Sequence, residues 1–251
     1  MASATSTNAV TVYCGSSTGS EPTYIKAATS LGSALAKANR RLVYGGGEKG
    51  LMGAVSGAVI AGGGTVTGVI PHAMLAAGGE QDKVRPPDGQ AVDKPGKFVS
   101  VVLEPDTEQL QTIVVPSMHE RKVEMARRSC GFIGLPGGYG TFEEVLEAVT
   151  WTQLGIHDKP VVLINVLSFY DPLRDLVNSA VNAGFIQHFN KSLIIFVDGP
   201  ASREEHQTFD WGTAALDALE SWHQSRHGMP KGFFDWTQTQ NGGSEESLSV
   251  T

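Results

Sequence analysis

Short apolar runs alternate with longer amphipathic segments along most of the chain. The first run, Ala9 to Cys14 (AVTVYC), is closed by the turn Gly15-Ser16-Ser17-Thr18-Gly19. A run this short, rich in β-branched and aromatic residues, predicts a strand. Pro22 suits the first turn of a helix, where its missing N–H has no acceptor to lose. That helix is expected to reach about Asn39, with Ile25, Leu31 and Leu35 on one face. A second strand, Arg41 to Tyr44, runs into Gly45-Gly46-Gly47. A small-residue helix, Leu51 to Ala61, ends at Gly62 to Gly64, and Thr65 to Ile70 is a third strand. Strand–helix–strand units with near-continuous apolar strands predict an α/β fold, its parallel sheet covered on both faces.

From His72 to about Lys97 the pattern breaks into Gly, Pro, Asp and Lys, and this stretch is read as a long loop or lid. Phe98 to Leu103 resumes a strand, and Val115 to Arg128 reads as a helix opened by Pro116 and closed by Arg127-Arg128. Next come a buried strand from Gly131 to Leu135, a helix from Thr141 to Leu154 and a strand from Val161 to Asn165. Asp171-Pro172 caps a helix to about Ala183. Leu193 to Val197 is the last strand and Ser202 to about Trp222 the last helix. This predicts one domain over residues 9–227, a disordered segment 1–8 and a polar tail 228–251.

Composition and charge narrow the function. At 41% hydrophobic and 18% charged residues the chain can bury a large core. No apolar run approaches the roughly 18 residues that a membrane span needs. The net charge of −7, with no basic stripe, argues against a nucleic-acid partner. An anionic ligand must then be held locally, by helix N-termini, backbone N–H groups and a few cations. Cys14 and Cys130 make no disulfide framework and are expected buried and reduced. Met1 to Asn8 has neither the apolar core of a signal peptide nor the arginines of a transit peptide, so a cytoplasmic location is expected.

The chemistry is expected beyond the carboxyl ends of the strands. There are 30 glycines in 251 residues, well above the roughly 7% of an average protein. Clusters of them fall in turns after strands: Gly15 with Ser16, Gly45 to Gly47, and Pro136-Gly137-Gly138-Tyr139-Gly140-Thr141. One such turn alone is as well explained by tight packing of strand on helix. Three at one edge favour a nucleotide-type ligand, although neither a P-loop nor a full GxGxxG is present. Thr141-x-x-Glu144 reads as a capping box. The alternative puts the Glu144 carboxylate at the ligand, stabilising an oxocarbenium-like sugar or orienting a water. Ser117 to Lys122 is either a solvated first turn or a site where Arg121 grips a carboxylate and a phosphate.

Other constellations are weaker. His223 and His227 are spaced one helical turn apart without a third ligand, so no metal is expected. His119 and His157 lie near the motifs but are read as held by packing. Trp151, Leu154 and Ile156 read as core or dimer contacts. A pyridoxal enzyme would need a Schiff-base lysine, and Lys49 and Lys122 alone lie within the motif turns. A non-catalytic nucleotide-binding or sensor module is the stronger rival to an enzyme.

Met118-His119-Glu120-Arg121-Lys122, the Pro136 to Glu144 turn and Trp151 to Pro160 closely resemble the Lonely Guy family. Its members are cytokinin riboside 5′-monophosphate phosphoribohydrolases, often labelled lysine decarboxylases. Tyr13 to Ser17, Tyr44 to Gly47 and Gly50 to Gly53 extend the resemblance over roughly residues 9–200. It implies a Rossmann-like homodimer, or a higher homo-oligomer, that splits a nucleoside monophosphate into base and ribose 5-phosphate without metal or organic cofactor. The implied catalytic pair is Arg121 and Glu144. Lys122, Gly138, Tyr139, Gly140, Thr141 and Glu143 would line the phosphoribosyl site, with Gly15, Ser16, Gly46 and Thr150 as further contacts. The polar stretch Ala76 to Lys97 is longer than in the compact plant members and suggests a fungal-type member. It obscures an acidic substrate contact, for which Glu80 is the nearest candidate.

Overall fold

The structure, a computed structural model, describes residues 8–76, 101–102 and 109–225. Among the described residues eight strands form one sheet: β1 (Val10–Tyr13), β2 (Leu42–Tyr44), β3 (Val66–Pro71), β4 (Val101–Val102), β5 (Leu110–Val115), β6 (Gly131–Gly134), β7 (Val161–Asn165) and β8 (Ile194–Asp198). Their order is β4-β5-β3-β2-β1-β6-β7-β8, parallel except where β4 pairs antiparallel with β5. This is the doubly wound, Rossmann-like sheet that the alternating pattern and the resemblance predict.

The helices are α1 (Pro22–Lys37), α2 (Gly50–Ala61), α3 (His72–Ala76), α4 (Met118–Arg128), α5 (Tyr139–Leu154), α6 (Asp171–Asn182) and α7 (Trp211–Ser225). One face of the sheet packs under α1, α2 and α7 around Leu31, Leu35, Val55, Val59, Ala215 and Leu219. The other packs under α4, α5 and α6 around Met125, Phe132, Val145, Ala148 and Tyr170. Among the described residues no helix is long and apolar enough to cross a membrane.

Several expectations change. Ile25 is exposed, because six residues turn a helix through about 600° and set it off the Leu31–Leu35 face. Leu110–Val115 is a strand paired along its whole length with β3, so the helix after it starts at Met118 and not at Pro116. The Ser117 hydroxyl caps it by accepting the Glu120 N–H at 3.2 Å. The last helix starts at Trp211, not Ser202, with Thr213 N–H donating to Asp210 Oδ1 at 3.1 Å. Both cysteines are free, Cys14 buried and Cys130 only half-buried. His72–Ala76 is a short helix. The rest of the expected 72–97 loop, the 1–8 segment apart from Asn8, and the 228–251 tail lie outside the described residues.

Candidate active site

The chain leaves β1 for β2 on one side and returns to β6 on the other, the switch point where doubly wound sheets bind ligands. The glycine turns meet there. Gly15 N–H donates to the Pro136 carbonyl at 3.1 Å, and Leu51 N–H, in the first turn of α2, donates to the Gly15 carbonyl at 3.1 Å. A Cβ on Gly137 would collide with the Thr141 side chain and crowd the Gly15 nitrogen, so this crossing closes only with glycine. Beside it lies a cavity of about 300 Å³ walled by the Gly15–Gly19 and Pro136–Gly138 turns with Tyr24, Leu51 and Phe169.

The third turn enters α5 earlier than expected. Gly138 is the N-cap and has no side chain to satisfy the first turn, which leaves the N–H groups of Tyr139, Gly140 and Thr141 without intrahelical acceptors. An exposed, uncapped helix N-terminus suits an anion. Thr141 therefore does not cap the helix. It is buried in the first turn, and Glu144 lies with Val145 and Ala148 on the buried face. The cap belongs instead to Ser117 before α4, whose hydroxyl accepts the Glu120 N–H and donates to Glu120 Oε2 at 3.0 Å.

Arg121 reaches from α4 to Glu144 on α5, Nη2 to Oε1 at 3.6 Å, and each residue is only 8% exposed. Its guanidinium runs against the backbone of Gly45, where any Cβ would clash with Nη2. Its Nε is buried and has no hydrogen-bond partner among the described residues. Burial pushes the Glu144 carboxyl up to about 7, with Arg121 opposing and Glu143 reinforcing the shift. A buried carboxylate beside a fixed cation and a glycine turn is the arrangement that a reacting, electron-poor sugar needs. The Tyr13 hydroxyl is held neutral by burial and by the charge of Glu144, and its ring stacks on Phe132 at 5.8 Å.

Lys122 sits between two carboxylates, Glu143 and, at 2.9 Å, Glu147. Burial opposes its charge, but hydrogen bonds to Glu143 and Glu147 outweigh that and hold the ammonium above its ordinary pKa. A Schiff-base lysine must give up its proton, so Lys122 does not fit a pyridoxal site. Lys49, the N-cap of α2, is exposed.

The remaining candidates divide. Ser16 borders the cavity, and Gly46 is buried with φ +82° against Ile70. Thr150 is not brought to the pair. It is exposed six residues beyond Glu144, about one and two-thirds turns, and its hydroxyl donates to the Leu146 carbonyl at 2.8 Å. Glu80 lies outside the described residues. His157 is packed between Trp151 and Phe132 with Nδ1 3.3 Å from Thr152 Oγ1, and burial lowers its pKa to about 4. His119 is exposed, and no cluster of three His, Cys, Asp or Glu among the described residues could hold a metal. The His223 side chain and His227 lie outside the described residues. Sequence reasoning missed Tyr13, Glu147 and Phe169. Glu147 carried a signal in its i,i+4 spacing from Glu143, and Tyr13 one in heading the Tyr13 to Ser17 stretch of the resemblance.

Residues 52–205 match the family described as possible lysine decarboxylase. Over 186 residues the chain is 42% identical to a cytokinin riboside 5′-monophosphate phosphoribohydrolase of Arabidopsis thaliana, covering 74% of this chain and 76% of that one. Over 195 residues it is 44% identical to one from Oryza sativa subsp. japonica, covering 78% and 69%. A probable one from the same rice is 47% identical over 191 residues, covering 76% and 72%. Among solved structures, the molybdenum cofactor carrier protein of Chlamydomonas reinhardtii aligns with TM-score 0.51 at 18% identity, over 86% of this chain and 98% of that one. The molybdenum cofactor binding protein of Rippkaea orientalis aligns with TM-score 0.51 at 18% identity, over 87% and 98%. At that identity the likeness concerns the fold alone.

Proposed function

The chain belongs to the Lonely Guy family of phosphoribohydrolases, whose sequence match carries the description possible lysine decarboxylase, and from that membership we propose its reaction. It hydrolyses the N-glycosidic bond of cytokinin riboside 5′-monophosphates, that is N6-substituted AMP, to the free base and ribose 5-phosphate. AMP itself is a poorer substrate. The observation that supports this reading best is Glu144, a buried carboxyl pushed up to about 7 and paired with Arg121 beside an uncapped helix N-terminus.

The phosphate sits on the N–H groups of Tyr139, Gly140 and Thr141, and Arg121 holds phosphate and Glu144 in register. Lys122, held by Glu143 and Glu147, orders the rim of the site. As the C1′–N9 bond breaks, positive charge builds on the ribose and the ionised Glu144 stabilises it. A water oxygen adds to C1′, and the proton it loses passes through Glu144 to the departing purine, which leaves Glu144 ionised again. Gly15, Ser16 and Gly46 shape the floor, and Glu80 is the acidic contact to the substrate. The protein acts in the cytoplasm as a homodimer or higher homo-oligomer. Exposed Met118, Tyr139 and Leu146 on α4 and α5 support that assembly.

Product analysis after incubation with isopentenyladenosine monophosphate, AMP and isopentenyladenosine tests the reading. Base is expected fastest from the first and slowest from the riboside. Equal cleavage of riboside and monophosphate contradicts a site built around phosphate.

A further inference from the structure

The connection from β7 to α6 carries backbone strain. Leu167 and Ser168 stand in succession at φ 53° and 62°, a left-handed conformation that residues with a Cβ rarely adopt. Such strain persists only where the surroundings over-determine it. Here the clamp is explicit. Leu167 N–H donates to Nδ1 of buried His206 at 3.0 Å, and Arg203 Nη1 donates to the Leu167 carbonyl at 3.2 Å. An amide can only donate, so Nδ1 carries no proton. Nε2 carries it instead and donates to the Pro200 carbonyl at 2.8 Å. Trp211 packs edge-on against the ring at 5.1 Å and donates its Nε1–H to the His206 carbonyl at 2.9 Å.

The strained turn ends in two aromatic residues that brace the third glycine turn at both ends. Tyr170 OH donates at 2.7 Å to the carbonyl of Leu135, which precedes Pro136. Phe169 stacks on Phe142 in the first turns of α5, with ring centroids 6.2 Å apart, and walls the 300 Å³ cavity. The Tyr170 N–H is itself fixed by Asn165 Oδ1 at 2.7 Å.

We propose that the Leu167–Ser168 turn, locked by His206 and Arg203, sets the position of the Pro136–Thr141 turn that receives the substrate phosphate, with His206 as a positioning residue. The inference rests on the hydrolysis proposed above. A phosphate seat displaced by a fraction of an ångström loses affinity for the phosphate and leaves bond cleavage largely intact.

The test compares wild type, His206→Leu, His206→Gln and Phe169→Leu on isopentenyladenosine monophosphate and on the riboside, with thermal melts. His206→Leu is expected to raise KM for the monophosphate roughly tenfold, with kcat changed less than about threefold and the riboside unaffected. Glutamine can accept and donate from one amide, so His206→Gln restores most of the KM. Should His206→Leu not fold, Phe169→Leu is expected to show the same selective rise. A lower Tm with an unchanged preference for monophosphate over riboside overturns the inference. Calorimetric AMP binding, read with Glu144→Gln also in place so that turnover is blocked, reports the same seat and is expected to weaken about tenfold when His206→Leu is added. Unchanged AMP binding overturns the positioning role. If wild type binds AMP but releases no base from any of these compounds, the hydrolytic reading alone falls.

Discussion

Under α1, α2 and α7 the sheet is covered by Leu31, Leu35, Val55, Val59, Ala215 and Leu219, all fully buried, and among the described residues the polar side chains buried on those helices are the hydroxyls of Thr23 and Ser56. Under α4, α5 and α6 the covering buries Arg121 and Glu144, and α6 has no fully buried residue. That second side also leaves Leu146, Leu176, Phe185 and Phe189 exposed. The difference shows where the molecule gains stability and where it spends some of it. Those six apolar residues stabilise the fold by burial and line no part of the cavity. On the second face a carboxylate is held where its charge is least favourable in the free protein, and that makes it useful to a developing cation.

Variants on the two faces should fail differently. Glu144→Gln is expected to lower base release by about 10³-fold or more while the protein stays folded, measured by product chromatography and circular dichroism. Leu31→Ala on the opposite face is expected to cost about 2–5 kcal/mol in denaturant melts. The folded fraction should keep its kcat/KM, and a proportional loss of activity would erase the division between faces. Arg121→Lys keeps the charge but loses the planar fork that spans carboxylate and phosphate, so kcat/KM should fall roughly 10- to 100-fold.

A subtler effect has the opposite sign. The Glu144 carboxyl is raised in the folded state to about 7 from an ordinary value of 4.5, so the fold binds its proton more tightly than the unfolded chain does. Its contribution is therefore full below about pH 4.5 and lost as pH rises through 7. Glu144→Gln should melt higher than wild type at pH 8, by roughly 1–3 kcal/mol, and the two should converge near pH 4. The smallest effect belongs to the ion pair Arg128–Glu124, spaced i,i+4 on α4. Arg128→Ala should change stability by less than about 0.5 kcal/mol and activity not at all.

The strands of the central sheet were legible because unbroken apolar runs such as Val161-Val162-Leu163-Ile164 have few other places to go. β5 was not, since Gln111 and Thr112 interrupt its apolar pattern and Pro116 mimics a helix start. Those two polar side chains lie near the edge of the sheet, where β4 alone follows among the described residues. Of the site, the Arg121 and Glu144 motifs and the glycine turns could be read in advance. The approach of Arg121 to Gly45 could not, because it joins residues 76 positions apart through packing alone. Thr141 misled because a cap signature is local, whereas the helix start was set by Gly138 and the crossing of Gly137 with Gly15. Leu167 and Ser168 gave no sign at all, being residues that no rule of turn chemistry places at positive φ.

The central claim, that the buried Glu144 carboxylate breaks an N-glycosidic bond, is tested most directly by following free base and ribose 5-phosphate from isopentenyladenosine monophosphate with wild type and Glu144→Gln side by side. Wild type should yield the two products in equal amounts, and the folded variant should yield neither above background. Equal rates from the two proteins would contradict the assignment of Glu144.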